Sequence, residues 1–151
     1  MSPITIVDAG QIAAIAEEVF AAMVDGEEGG LIPWTGGPVT MADPVHAWVD
    51  MLAEFSGRVQ LTTDSTTVDD LCRALLGMDA SEAVSEADLV DAFGEVANVV
   101  GGNLKALLPV QGKLTMPEVS REAPSAVGAL LLDEVTLAWR GRPMVISVWK
   151  I

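Results

Sequence analysis

Residues 85–108 carry the longest helical pattern in the chain, and a helix of that length with one apolar side must be laid against a core. Ser85 is a residue type that caps helix starts by accepting backbone N–H bonds, and Pro109 cannot continue a helix. At about 100° per residue, Leu89, Phe93, Val96, Val100, Leu104 and Leu107 fall on one side, which is expected to pack. Asp91, Glu95, Asn98, Gly102 and Lys105 fall on the opposite side, so Glu95 and Asn98 are neighbours one turn apart and face outward. The spacing Glu95-x-x-Asn98-x-x-x-Gly102 is therefore a surface constellation.

The rest of the chain supplies what this helix needs to pack on. Residues 8–24 set Ile12, Ile15, Val19 and Met23 at helical spacing behind Asp8, another capping type. Residues 26–44 hold five glycines and three prolines and are expected to form a surface loop. Alternation of apolar and polar residues over 46–55, resumed by Val59 and Leu61 after Ser56-Gly57, predicts a β-hairpin. Val68, Leu71, Leu75 and Leu76 then recur helically up to Gly77, with Asp69 and Asp70 expected in the first turn, where the helix dipole favours anions. Residues 112–120 look extended, and Val135, Leu137, Trp139 and Met144, Ile146, Val148 flank Arg140-Gly141-Arg142-Pro143 as a second hairpin. Residues 1–151 are thus read as a single α+β domain, with about three helices packed on a mainly antiparallel sheet.

Charge and cysteine content exclude several functions. Lys and Arg total 8 against 22 Asp and Glu, and the net charge of −14 repels phosphate backbones and anionic lipid, so neither nucleic acid nor a membrane surface is an expected partner. No uncharged apolar run approaches the roughly 18 residues that span a bilayer. The first residues lack a basic region ahead of an apolar stretch, so the cytoplasm is the expected location. Cys72 is the only cysteine, which rules out an intramolecular disulfide and any zinc site with two thiolates. His46 has no second histidine to share a metal and is expected on the surface or on an edge strand. The glycine-rich 29–37 stretch lacks the Gly-Lys-Ser/Thr ending of a phosphate-binding loop. Glu27, Glu28, Asp69 and Asp70 read as solvated or helix-start charge. Trp48, Trp139 and Trp149 read as packing residues on strands, with Trp34 in the loop left open.

Several residues of the long helix run against local preference. The only asparagines, Asn98 and Asn103, both sit in it, and Gly101 and Gly102 each cost about 1 kcal/mol relative to Ala in a helix interior. Such choices usually have a reason elsewhere, and glycine on an exposed helix face lets another backbone approach, which suggests docking by a second protein. The run Gly94-Glu95-Val96-Ala97-Asn98-Val99-Val100-Gly101-Gly102-Asn103 resembles the Glu-x-x-Asn-x-x-x-Gly-Asn signature of the CheC/CheX/FliY chemotaxis phosphatases. A looser likeness covers about residues 46–150, through the Glu54-Phe55-Ser56-Gly57 turn, the helix over 71–76 and the Gly141 hairpin, and the organisation is similar to the single-site CheX-like members. Members with two sites repeat the motif on an earlier helix, but here Glu18 is followed by Ala21 and Asp25, so one site is expected.

That resemblance implies a phosphatase acting on the aspartyl phosphate of a CheY-type response-regulator receiver domain in chemotaxis or two-component signalling. Asn98 would be the catalytic residue that orients the attacking water, and Glu95 would pair with the receiver's active-site lysine. Gly102 would admit the receiver backbone, with Asp91 and Lys105 on the same docking face. The protein needs no cofactor of its own on this reading, because Mg²⁺ is supplied by the phosphorylated receiver. The physics is compatible: an acyl phosphate held with its metal chiefly needs a water placed in line, and a carboxamide can orient one without titrating near neutral pH. Asn103 lies near the apolar side of the wheel and is expected to support packing. A homodimer formed through the sheets is also implied, and the apolar final strand from Met144 to Trp149 is compatible with an exposed edge. Two other readings stay open: a non-catalytic module that binds a receiver or flagellar-switch component through the same face, and a dimerisation domain with the Glu95 face buried against a second copy.

Overall fold

The computed structural model describes residues 8–54, 56–107 and 112–151. Phe55 of the expected turn and Pro109, the expected helix terminator, lie outside the described residues. Capping chemistry fixes where the helices start. Helix α1 (Ala9–Val19) opens on Asp8, whose carboxylate accepts from the Gln11 N–H while the Gln11 side chain accepts from the Asp8 N–H. It continues as a π-helical segment, Phe20–Asp25, and stops at Gly26 in the left-handed region. Strands β1 (Leu31–Pro33), β2 (Pro44–Leu52) and β3 (Gly57–Asp64) precede helices α2 (Ser65–Leu76) and α3 (Glu86–Lys105). Strands β4 (Lys113–Leu114), β5 (Glu118–Ser120), β6 (Leu130–Trp139) and β7 (Arg142–Lys150) complete the chain.

Every strand pair is antiparallel, in the order β1-β6-β7-β3-β2-β4, with β5 pairing the same side of β2 as β4. The register puts Val45, Ala47, Val49 and Met51 of β2 on one face, level with Leu61 of β3 and with Met144, Ile146 and Val148 of β7. That face meets Ile12, Phe20, Leu71, Phe93, Val96 and Val100 from the helices in one buried cluster. The fold is therefore the expected α+β domain, with helices on one antiparallel sheet. Both hairpins form, and the β6–β7 reversal uses two positive-φ residues, Arg140 at 53° and Gly141 at 77°, which matches the strand twist.

Several expectations are corrected. The 26–44 stretch is not all loop: β1 pairs Leu31 with Trp139 and Pro33 with Leu137, and three residues are too few to show a period. Because α2 starts at Ser65, Asp69 and Asp70 stand in its second turn. Asp70 is not simply solvated, since it pairs with Arg73 at 3.0 Å and with Arg142 of β7. His46 is not on an edge: it faces Thr62 of β3 and Ser120 of β5, is half-buried, and has its Nδ1 2.8 Å from Thr62 Oγ1. Burial lowers its pKa from 6.5. Strand β7 is an interior strand between β3 and β6, so its apolar character reflects burial and not an open edge. Leu107 lies beyond the end of α3 and is exposed.

Candidate functional site

Helix α3 crosses the sheet with Leu89, Phe93, Val96, Val100 and Leu104 buried, and Ser85 Oγ accepts from the Asp88 N–H at its start. Its glycines have separate reasons. Gly101 is buried, and a Cβ there would overlap Cγ2 of Val49, so this glycine lets the helix sit close on β2. Its role is internal, not the external docking its type suggested. Gly94 instead faces the segment between β4 and β5, and Gly102 the end of β4: an added Cβ would lie 3.5 Å from Pro117 at the first and 3.7 Å from Leu114 Cδ1 at the second.

Residues 114–117 therefore run alongside α3, with Asn98 midway between the two glycine contacts. Val90, Asp91, Glu95, Asn98, Thr115 and Met116 line the open groove between them. Thr115 holds the wall in place. Its N–H donates to Asp50 O at 2.8 Å, and its hydroxyl accepts from the Asp50 N–H at 3.0 Å, where a carbonyl of a regular strand would stand. Both backbone groups of Asp50 are thus satisfied while the chain at 116–117 bulges away from β2. The Asp50 carboxylate turns to the other sheet face and binds Arg58 through two contacts of 2.6 and 3.0 Å, which raises the Arg58 pKa.

Glu95 and Asp91 are exposed and Asn98 is half-buried at the groove wall. Among the described residues, neither the Glu95 carboxylate nor the Asn98 amide has a hydrogen-bonding or ion-pairing partner. The structure brings Asp91, Glu95 and Asn98 together in the groove; Gly102 lies one turn further along α3 beside Leu114 and does not line it, and Lys105 lines a small apolar cleft with Val49, Met51, Val59 and Val148. Asn103 is also corrected: it is exposed, and its Nδ2 donates to Val99 O of the preceding turn at 2.9 Å. The groove-lining residues include no Cys, His or Lys, and among the described residues no group of three His, Cys, Asp or Glu is placed to hold a metal. What the arrangement offers is a carboxamide and a carboxylate, one turn apart and free to engage outside groups. Residues 114–117 carried only an extended pattern in the sequence, and Pro117, which cannot donate to a ladder, was the one signal of the bulge.

The family model described as chemotaxis phosphatase CheX matches residues 45–130, more than half of the 151-residue chain. The chain belongs to the CheX family. The matched span includes β2 from Val45 onward, the whole of α3 and the 114–117 wall. A chemotaxis protein CheX from Vibrio vulnificus shares 18% identity over 95% of each chain, with a TM-score of 0.71. A chain of a CheX–CheY–BeF3–Mg²⁺ complex from Borrelia burgdorferi shares the fold at 16% identity, 92% and 94% coverage of this chain and that one, and a TM-score of 0.69. A CheC-like superfamily protein from a Shewanella species aligns over 100% of this chain and 99% of its own at 18% identity, with a TM-score of 0.68. At these identities the likeness concerns the fold. No curated protein matches the chain.

Proposed function

We propose that this CheX-family protein hydrolyses the aspartyl phosphate of a CheY-type receiver domain, with the outward face of α3 entering the receiver's phosphate pocket. The observation that carries the reading is the pair of unpartnered groups, Glu95 and Asn98, one turn apart in an open groove, inside the span that matches a phosphatase family. Glu95 would meet the receiver's active-site lysine. Asn98 would donate and accept hydrogen bonds to one water, aligning it with phosphorus opposite the acyl oxygen. Attack by that water breaks the phosphorus–oxygen bond to the aspartyl carboxylate and releases inorganic phosphate and a free carboxylate on the receiver. Mg²⁺ enters with the receiver, a reading supported by the Borrelia burgdorferi complex, whose components include CheY, BeF3 and Mg²⁺. Asp91 adds negative charge beside Glu95, and Gly102, one turn beyond Asn98, presents no side chain to an approaching receiver. Lys105 loses its place in this reading, because it lines the neighbouring apolar cleft, which shares only Leu114 with the groove.

The test is decay of a phosphorylated CheY-type receiver in Mg²⁺ with and without the protein. Wild type is expected to accelerate phosphate loss, and Asn98→Ala is expected to slow that turnover by about 100-fold, the scale of losing a positioning contact. Binding of the phosphorylated receiver without accelerated loss would instead establish a docking module.

A further inference from the structure

The geometry points to Met116 as a receiver-contacting residue that adds to the affinity for the receiver, with Thr115 as the positioning residue that presents it; the inference rests on the receiver-phosphatase reading of α3. Met116 is 84% exposed, although a large apolar side chain on a loop costs solubility and could have been buried or polar. Its place is fixed rather than incidental. Pro117 abuts Gly94 and Leu114 abuts Gly102, so residues 115 and 116 stand level with the Glu95–Asn98 turn that lies between those glycines. Val90, also exposed, flanks the groove on the helix side. A partner that brings a phosphate to Asn98 and a lysine to Glu95 must therefore lay an adjacent surface against Met116.

The chemistry selects the kind of partner surface. Asp91 and Glu95 call for positive charge, while Met116 and Val90 call for an apolar patch beside it. Methionine is unbranched and polarizable, so it packs against varied apolar contours and can anchor a contact without demanding one shape. The contact is made equally in the ground and transition states, so it contributes to affinity and leaves the chemical step unchanged. Thr115 acts through Met116: its hydroxyl replaces a ladder carbonyl for the Asp50 N–H and thereby holds the bulge out.

The experiment is steady-state dephosphorylation of CheY-type receivers from the same genome, each phosphorylated with acetyl phosphate in Mg²⁺. Met116→Ala is expected to raise KM by roughly 10-fold, consistent with loss of one buried apolar contact, with kcat unchanged. Met116→Leu is expected to retain most of the affinity. Thr115→Val is expected to raise KM with kcat unchanged and Thr115→Ser to restore it, whereas general destabilisation would lower the active fraction and with it the apparent kcat. Val127→Ala, which alters an apolar side chain 93% exposed outside the groove, serves as the control. Wild-type KM in Met116→Ala and Met116→Asp, in a protein that does dephosphorylate the receiver, overturns this inference and leaves the phosphatase reading intact. A wild-type protein that accelerates phosphate loss from none of the receivers overturns both.

Discussion

At the scale of single residues, neighbouring glycines and two asparagines of one helix separate into structural and exposed roles. Gly101 exists for the helix–sheet contact with Val49, whose branched side chain has little rotamer freedom to move aside. Gly101→Ala is therefore expected to lower stability by roughly 1–3 kcal/mol in urea unfolding, even though Ala is the better helix former. Gly102→Ala meets Leu114 at an ordinary 3.7 Å and is expected to be neutral or slightly stabilising. An equal response at both positions would contradict the packing account. Asn103 satisfies itself on Val99 O, whereas the Asn98 amide has no partner among the described residues and lines the groove.

At the scale of elements, α2 is tied to β7 by Asp70, which links Arg73 on its own helix to Arg142. The Arg142 hydrogen bond holds the Asp70 carboxyl below its ordinary 3.8, with the Arg142 charge and then Arg73 adding to the effect against the desolvation of partial burial. A folded pKa lowered in this way adds stability that is present above pH 3.8 and lost as pH falls through the folded value. Asp70→Asn is expected to cost about 1 kcal/mol near neutral pH, the ceiling for partly exposed pairs, and progressively less below pH 3.8. A pH-independent difference would contradict this. The sequence made α1, α2, α3 and both hairpins legible because each carries a period of its own and a cap or turn residue at its boundary. It hid β1, which has three residues, and it misplaced β7 at an edge because an apolar strand reads alike in the middle of a sheet and at an exposed border. The Glu95 and Asn98 side of the site was legible from one helix wheel. Its other wall was not, since Met116 reaches the groove only through the Thr115 bond to a strand 65 residues away.

At the scale of the whole molecule, β7 lies inside the sheet, so the homodimer implied by family resemblance cannot form along it. The outer sheet face, away from the helices, carries half-buried Val145 and Trp149, with Trp48 buried beneath Arg58, and is the face left for a second copy to cover. Light scattering at micromolar concentration is expected to give the mass of two 15.8 kDa chains, reduced to one by Trp149→Glu; a wild-type mass of one chain contradicts the dimer. Either outcome leaves the groove accessible on the opposite, helical side. The central claim is that one turn of α3 both anchors a receiver and orients its attacking water, and the most direct test measures those two properties separately. For Asn98→Ala the account expects unchanged affinity for a receiver carrying BeF3 and Mg²⁺, with turnover of the phosphorylated receiver lowered about 100-fold. For Glu95→Ala it expects weakened affinity. Wild-type turnover in Asn98→Ala, or undiminished affinity in Glu95→Ala, would contradict it.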